Sequence, residues 1–242
     1  MEVYGRISFA VETKADASPL TEADRVANAI LVEGLQQHYS GIPIISEETR
    51  NAPWEERKHW TRCWLVDPLD GTKEFVKRNG EFTVNVALIE DGEPILGVVY
   101  QPAADLLYWG DANGAFRQTG RAVNEASEPE RIHGGPHYSG VKQPIVVASR
   151  SHLTPETLEF VERLRAGGSE PEFLSAGSSL KFCLVAEGRA QVYPRYGPTM
   201  EWDTAAAHAV ALAAGRKVFQ SENGEPLRYN KENLLNPWFI VE

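Results

Sequence analysis

Two apolar runs separated by a turn constrain this chain more than any other feature of its sequence. Residues 82–89 read FTVNVALI, residues 94–101 read PILGVVYQ, and Asp91-Gly92 lies between them. Both runs are rich in β-branched residues, and Asp-Gly is a favoured pair in tight hairpin turns. The pattern therefore predicts an antiparallel hairpin. A second hairpin is predicted around DANG at 111–114, so we expect the first half of the chain to form a mostly antiparallel sheet.

Helical and strand-like segments accompany this sheet in both halves of the chain. In the first half, the pattern predicts a helix at 21–38, capped by Thr21, and short strands at 42–46 and 63–67. The second half shows the same mixture, with elements predicted at 144–149, at 154–166, near Ser178, and at 203–214. This mixture is typical of layered α/β or α+β proteins, with a second sheet in the C-terminal half.

A polar segment at 121–143, rich in Gly, Pro and His, shows no periodicity and is the candidate junction between two halves. The length of 242 residues suits one large domain or two joined halves, and the apolar fraction of 42% is enough for a substantial core. We therefore expect an N-terminal α+β half at 1–130 and a C-terminal α/β half at 131–242.

Composition excludes several classes of protein. The formal net charge of −10 repels the nucleic-acid backbone, so we expect no nucleic-acid partner. The small-residue run at 205–215 is shorter than the roughly 20 residues that span a bilayer. Two cysteines are too few for a disulfide framework. Charges throughout residues 1–30 do not fit a signal sequence, so the sequence predicts a cytoplasmic protein without an integral membrane segment.

Acidic side chains cluster where one apolar run ends. The predicted strand CWLVD at 63–67 is followed directly by PLDGT at 68–72. Proline fixes its φ angle and ends strand pairing, and the glycine gives a flexible step before a predicted helix. Two carboxylates, a carbonyl group and the free N–H groups of a helix start therefore lie within one turn. An ordinary aspartate-rich turn, with Asp70 as a helix N-cap, explains the same residues equally well.

Two further acidic positions favour a functional interpretation. Glu47 and Glu48 directly follow a predicted strand, and Asp203 begins the small-residue helix. Each has a structural alternative, the glutamates as a solvated loop and Asp203 as a helix cap. If these acids converge with Asp67 and Asp70, they cannot all stay ionised without a counter-charge. No Cys stands beside these acids in the sequence, and no His lies on the helical face of Asp203. A metal bound there would therefore have oxygen ligands only, which favours Mg²⁺ or Mn²⁺ over Zn²⁺.

The order and spacing of these acids resemble the inositol monophosphatase superfamily of magnesium-dependent, lithium-sensitive phosphomonoesterases. The family pattern is an upstream Asp, then Glu-Glu, then Asp-Pro-(Ile/Leu)-Asp-Gly-Thr, then Trp-Asp followed by small residues. The matching residues are Asp24, Glu47-Glu48, residues 67–72, and Trp202-Asp203 with Ala205-Ala206. The resemblance spans about residues 10–215 and implies a sugar-phosphatase-like αβαβα sandwich, with an N-terminal mainly antiparallel sheet and a smaller C-terminal mixed sheet.

The resemblance also implies roles for the matching residues. A first metal is implied to bind Glu47, Asp67 and the Leu69 carbonyl group, and a second to bind Asp67, Asp70 and Asp203. The backbone N–H groups of Gly71 and Thr72 are implied to hold phosphate, while Glu47, or Asp24 with Thr72, orients and deprotonates the attacking water. Two or three Mg²⁺ ions, with Mn²⁺ as a substitute, are expected because paired divalent cations stabilise the attacking and leaving oxygens of phosphoryl displacement.

The flanking residues are most similar to one branch, the CysQ-type 3'(2'),5'-bisphosphate nucleotidases, which convert adenosine 3',5'-bisphosphate to AMP and phosphate. The similar segments include DGTKEF, SRSH at 149–152 and GSSLKFCLVAEG at 177–188. If the partner is a small-molecule bisphosphate, its second phosphate requires basic side chains at a distance from the metals. The candidate substrate contacts are Gly71, Thr72, Lys73, Arg150, Ser178, Ser179, Lys181, Arg195 and Glu201. Each cation is alternatively a solvated surface charge, and Ser178 is alternatively a helix cap.

Other interpretations stay open at this point. An inositol monophosphatase or a fructose-1,6-bisphosphatase of the same superfamily would use the same metal ligands. A catalytically inactive metal- or nucleotide-binding homologue would keep the same fold. The resemblance further implies a homodimer, peripheral association with the inner membrane face in some relatives, and in most relatives another helix before EVYG at 2–5.

Overall fold

The computed structural model describes residues 1–7, 10–13, 19–120, 127–148 and 154–242. The helices in these ranges are α1 Glu2–Gly5, α2 Glu22–His38, α3 Trp54–Arg57, α4 Thr72–Lys77, α5 Pro155–Ala166, α6 Leu180–Ala186 and α7 Glu201–Ala213, with a 3-10 turn at Tyr138–Gly140. The strands are β1 Val11–Thr13, β2 Pro19–Thr21, β3 Ile44–Ser46, β4 Arg62–Asp70, β5 Thr83–Glu90, β6 Glu93–Gln101, β7 Leu106–Asp111, β8 Gly114–Thr119, β9 Glu130–Ile132, β10 Ile145–Ala148, β11 Glu172–Ser175, β12 Tyr193–Arg195, β13 Val218–Gln220 and β14 Phe239–Val241. None of the described helices has both the length and the apolar character needed to cross a membrane.

The largest sheet has seven strands in the order β3-β4-β5-β6-β7-β8-β9. Strands β3 and β4 are parallel, and every other neighbouring pair in this sheet is antiparallel. The predicted hairpin is β5–β6, in which Asp91 (φ +50°) and Gly92 (φ +78°) both adopt the left-handed conformation that a type I′ turn requires. The second predicted hairpin is β7–β8. The prediction of a mainly antiparallel first sheet is therefore confirmed.

Helix α7 lies across the large sheet and contacts strands β4 to β8. Gly97 of β6 and Gly110 of β7 are strand partners beneath it. A Cβ atom at Gly97 would lie 2.0 Å from the carbonyl oxygen of Ala206, and one at Gly110 would lie 2.7 Å from Cα of Val210. Since real Cβ atoms do not approach so closely, only glycine at these two positions lets the helix backbone rest on the strands. This close contact fixes the position of α7 relative to the sheet.

Two small sheets follow in the C-terminal half. Strands β10 and β11 are parallel, and β12, β14 and β13 form an antiparallel sheet in that order. A parallel bridge between Val146 and Val192 joins the two, so together they supply the predicted smaller mixed sheet. Strand β9 pairs with β8, so the large sheet itself reaches Ile132. The division of the chain at residues 130 and 131 stays a prediction.

Helix α2 packs against β4 and begins with a capping box. Thr21 Oγ1 accepts a hydrogen bond from the Ala23 N–H group, and Asp24 Oδ2 accepts one from the Thr21 N–H group at 2.8 Å. The Asp24 carboxylate is buried, whereas the apolar residues Val26 and Ile30 are exposed. The first turn of α2 therefore places an acidic group inside the protein.

Candidate active site

The DPLDGT segment lies at the end of β4, where strand pairing is interrupted. Asp67 and Asp70 pair with Asn85 and Thr83 of β5, and the register shifts between these two pairs. The two residues in between form a bulge, which redirects the chain. The Leu69 N–H group donates a hydrogen bond to Asp67 Oδ1 at 2.9 Å. The glycine that follows Asp70 has φ +92°, and α4 begins directly after it. Both aspartates are thus placed at one short turn.

Four carboxylates from three parts of the chain lie close together at this end of β4. Burial raises the pKa of Asp67 well above its ordinary value, and the negative charges of Glu47, Asp70 and Asp203 raise it further. Burial also raises the pKa of Asp203, and the charges of Asp70 and Glu47 add to that effect. Like charges change each other's pKa in this way only when they are near neighbours. The structure therefore places all four predicted carboxylate ligands within electrostatic reach of one another.

Backbone N–H groups contact two of these carboxylates. Asp70 Oδ2 accepts a hydrogen bond from the Ser179 N–H group at 2.6 Å, and Asp203 Oδ2 accepts one from the Met200 N–H group at 2.8 Å. Within the described ranges, no three acidic, His or Cys side chains are grouped closely enough to hold a metal ion as they stand.

Asp67 Oδ2 is buried and receives no hydrogen bond from the described part of the chain. A side-chain hydrogen bond between Asp67 and Glu47 also raises the pKa of Asp67. Once Asp67 is ionised, this buried oxygen without a donor is costly, and Mg²⁺ or a similar oxygen-seeking cation would stabilise it.

Asp24 and Thr72 lie beside the same turn. Asp24 Oδ2 is engaged in the α2 capping box, while Asp24 Oδ1 lies 3.3 Å from Thr72 Oγ1. Thr72 Oγ1 also lies 3.4 Å from the Leu69 carbonyl oxygen. Because a hydroxyl group has one proton, donation to Asp24 leaves the lone pairs of Thr72 free to accept a hydrogen bond from water. One carboxylate can therefore cap a helix and orient this threonine.

A cavity of about 340 Å³ opens beside Asp70 and Asp203. Its wall also carries the basic residues Lys73, Lys181 and Arg195. Burial lowers the pKa of Lys181 to about 8, although the charge of Asp70 opposes this shift. Burial raises the pKa of Asp70 to about 6, against the opposing effect of Lys181. The cavity therefore joins an acidic end, suited to a cation, to a basic wall, suited to an anion.

Two polar atoms on the basic wall are buried without partners in the described ranges, Ser178 Oγ and Arg195 Nε. Ser178 has a left-handed backbone, φ +45°, and its carbonyl oxygen accepts a hydrogen bond from Lys181 Nζ at 2.6 Å. Arg195 donates through Nη2 to the Pro198 carbonyl oxygen at 3.0 Å. Since an unpaired buried donor costs free energy, an anionic group in the cavity would relieve both atoms.

Glu201 does not line the cavity, and neither does Thr72, whereas the other predicted contacts that the structure describes do. Its fully buried carboxylate accepts hydrogen bonds from the backbone N–H groups of Asn230 and Lys231 and from Lys231 Nζ. Burial raises the pKa of Glu201, and Lys231 opposes the shift. These donors use both carboxylate oxygens, so the structure gives Glu201 an anchoring position at the start of α7. The predicted contact Arg150 lies outside the described residues.

Sequence reasoning missed Thr83 and Asn85, and it assigned Ser179 directly to the substrate. The Ser179 hydroxyl group lies 2.8 Å from Thr83 Oγ1 and 2.8 Å from Asn85 Oδ1, so its hydrogen bonds are directed to β5. Thr83 and Asn85 both lie on the buried side of β5. The signal was present in FTVNVALI, where two polar residues stand two positions apart in an apolar run and therefore share one face of the strand.

A mixed sheet covered by helices, whose strand ends carry converging carboxylates, defines a sugar-phosphatase-like sandwich with a cation-binding donor set. The chain belongs to the inositol monophosphatase family, whose family model matches residues 1–237. The family and the fold expected from the sequence are therefore confirmed.

Individual proteins show which members of this family the chain resembles. The Escherichia coli (strain K12) protein named 3'(2'),5'-bisphosphate nucleotidase CysQ is 49% identical over 243 residues, which cover 100% of this chain and 92% of that protein. The crystal structure of CysQ from Bacteroides thetaiotaomicron has a TM-score of 0.87 at 47% identity, covering 100% of this chain and 90% of its own. An IMPase/NADP phosphatase complexed with Mg²⁺ and phosphate has a TM-score of 0.76 at 21% identity, covering 98% of this chain and 82% of its own, which shows the shared fold alone.

Proposed function

We propose that this protein is a Mg²⁺-dependent phosphomonoesterase that hydrolyses the 3'-phosphate of adenosine 3',5'-bisphosphate to AMP and phosphate. The similarity to proteins named 3'(2'),5'-bisphosphate nucleotidase supports the reaction class. The observation that carries the substrate proposal is the single cavity that joins the carboxylate cluster to a basic wall. One phosphate lies at the acidic end, where cations bind, and the other phosphate lies against the basic wall.

The carboxylates at the end of β4 provide the cation site. Glu47, Asp67, the Leu69 carbonyl group, Asp70 and Asp203 form its oxygen donor set. Two or three Mg²⁺ ions bound there, or Mn²⁺ as a substitute, supply positive charge that neutralises the phosphoryl group and activates water. The unpaired Asp67 Oδ2 atom supports this assignment, because it has no donor in the described part of the chain.

The chain's own groups orient the phosphate and the water. Backbone N–H groups of Gly71 and Thr72, at the start of α4, face the scissile phosphate. Thr72 Oγ1 donates its proton to Asp24 Oδ1 and accepts a hydrogen bond from the attacking water, which this pair orients. Glu47 is the second candidate for accepting the water's proton, because it lies within reach of the same carboxylate cluster.

The basic wall binds the phosphate that is not cleaved. Lys73, Lys181 and Arg195 neutralise it, and the Ser178 hydroxyl group donates to it. Charge-assisted hydrogen bonds of this kind are stronger than neutral ones, so they favour a bisphosphate over a monophosphate. The left-handed conformation of Ser178 fits this role, since strained backbone is concentrated at ligand sites.

A substrate panel tests the proposal. Phosphate release is measured with Mg²⁺, with and without Li⁺, from adenosine 3',5'-bisphosphate, inositol 1-phosphate and fructose 1,6-bisphosphate. We expect the nucleotide to give the highest kcat/KM and Li⁺ to inhibit. In Lys181→Met, kcat/KM for the nucleotide is expected to fall more than kcat/KM for inositol 1-phosphate. The exposed Lys217→Met variant is the matched control. Faster cleavage of inositol 1-phosphate by the wild-type protein would show that the substrate assignment is wrong.

A further inference from the structure

Each aspartate of the β4 turn has a polar strand partner on β5. Asp67 stands opposite Asn85, and Asp70 stands opposite Thr83, on either side of the bulge. Both partners are almost completely buried, with exposures of 1% for Asn85 and 0% for Thr83. A buried polar pair in an apolar strand costs free energy unless its hydrogen bonds are made, so the position of these two residues needs an explanation.

Both partners reach one serine that approaches from the other half of the chain. Ser179 Oγ lies 2.8 Å from Asn85 Oδ1 and 2.8 Å from Thr83 Oγ1. Ser179 has one hydroxyl proton, and it donates that proton to Asn85 Oδ1. In the bond between the Thr83 and Ser179 hydroxyl groups, Thr83 is therefore the donor. We call these three side chains, Thr83, Asn85 and Ser179, the Ser179 link.

The Ser179 link ends on a carboxylate of the cation site. The Ser179 N–H group donates to Asp70 Oδ2 at 2.6 Å, a short bond to an anionic acceptor. The residue before it, Ser178, has φ +45°, a conformation that persists only where surrounding contacts hold it. The hydrogen bonds of the Ser179 hydroxyl group help to hold this turn, together with the bond from Lys181 Nζ to the Ser178 carbonyl oxygen, and they connect the Ser179 N–H group at Asp70 to β5.

We propose that the Ser179 link is a positioning device for divalent cation binding, which keeps Asp70 at a set distance from Asp67. This inference rests on the proposed function. Thr83, Asn85 and Ser179 are positioning residues, because they act on the cation through the two aspartates. Side chains that orient metal ligands commonly change metal affinity by about 10-fold to 100-fold when they are removed. A link that served only to join the two halves of the chain would change stability without changing affinity.

Titration with Mn²⁺ alone, followed by electron paramagnetic resonance of the free ion, separates these two roles in the full chain without substrate. Thr83→Val removes the hydroxyl group and keeps the shape, whereas Thr83→Ser keeps the hydroxyl group. We expect the Mn²⁺ Kd to rise by about 10-fold to 100-fold in Thr83→Val and in Ser179→Ala, and to stay near the wild-type value in Thr83→Ser.

The matched control is Thr157→Val in helix α5, which removes another buried threonine hydroxyl group, one that lies 3.2 Å from Oγ1 of Thr154, the residue before that helix. We expect this variant to lose stability in urea and to bind Mn²⁺ as the wild type does. Unchanged Mn²⁺ affinity in both Thr83→Val and Ser179→Ala overturns the positioning role alone. Absence of Mn²⁺ binding by the wild-type protein overturns the proposed function, and this inference with it.

Discussion

Replacing Gly97 by alanine tests whether the contact between α7 and the sheet positions the active site. The new Cβ atom would lie 2.0 Å from the Ala206 carbonyl oxygen and 2.8 Å from Cβ of Ala209. Real Cβ atoms keep at least 3.0 Å from such neighbours, so the helix has to retreat by about 1 Å. Asp203 lies three residues before Ala206 in the first turn of α7, and it moves with the helix.

Two effects of different origin are expected from this shift. Overpacking of a closely packed site costs about 1–3 kcal/mol, which for a chain of this size lowers Tm by about 2–4 °C per kcal/mol. Displacement of a catalytic group by about 1 Å costs about 100-fold in rate. The loss of kcat/KM in Gly97→Ala is therefore expected to persist well below Tm, where the variant is fully folded.

The assay measures Tm and Mg²⁺-dependent phosphate release in Gly97→Ala and in Gly34→Ala. Gly34 lies within α2, and a Cβ atom there meets nothing within 4 Å. Alanine is a better helix former than glycine by up to about 1 kcal/mol, so the control is expected to be at least as stable as the wild type and equally active. Wild-type activity in a folded Gly97→Ala protein would falsify the claim that this contact positions Asp203.

Three further predictions concern buried charges. Glu201→Ala is expected to lower the free energy of unfolding in urea by about 1–3 kcal/mol, because it leaves the backbone N–H groups of Asn230 and Lys231 without their acceptor. Asp70→Asn is expected to abolish Mg²⁺-dependent turnover while the far-UV circular dichroism spectrum stays unchanged; retained turnover would remove Asp70 from the mechanism. Burial lowers the pKa of His208 from 6.5 to about 3, so the folded state excludes the proton. The stability that this histidine contributes is therefore fully present above pH 6.5 and is lost by about 1.4 kcal/mol per pH unit as the pH falls towards 3. Urea unfolding at several pH values should show that the free energy of unfolding falls less steeply with falling pH in His208→Asn, which keeps a polar group near Tyr229. Equal slopes of this free energy against pH in the variant and the wild type would show that His208 does not titrate in this range.

The sequence predicted the local parts of this structure because their causes are local. The turn at Asp91-Gly92, the capping box at Thr21 and the break in pairing after Asp67 each follow from the conformational preferences of a few adjacent residues. The order of the acids along the chain identified the family, and the structure places those acids within reach of one another.

The roles of Glu201 and Ser179 could not be predicted in the same way, because their partners are distant in sequence. Ser179 stands near Asp70 in the cavity wall, which made it a reasonable substrate contact, but its hydroxyl group is used by a strand 94 residues away. Glu201 stands two residues before Asp203, yet its carboxylate points to a loop 29 residues further along. Only the tertiary structure shows that the single proton of the Ser179 hydroxyl group and both oxygens of the Glu201 carboxylate are already used.

The carboxylate cluster destabilises the folded protein when no cation is bound, and this destabilisation leads to a last prediction. Burial and three neighbouring acids all disfavour the ionised form of Asp67. In Asp67→Asn, the amide oxygen can keep the bond from the Leu69 N–H group, and the amide nitrogen can donate to the Glu47 carboxylate. We therefore expect this variant to be more stable than the wild type in EDTA.

Adding Mg²⁺ should reverse the order of the two proteins. A ligand that binds only the folded state stabilises it by about 2.7 kcal/mol at a concentration 100 times its Kd, and the variant lacks the carboxylate needed to gain this. Thermal unfolding of both proteins, in EDTA and across a Mg²⁺ series, measures the crossing directly. If Asp67→Asn is less stable than the wild type in EDTA, the idea that the cation relieves repulsion among these acids is wrong. A crossing shows that the acids are kept at a cost in stability because together they bind the cation.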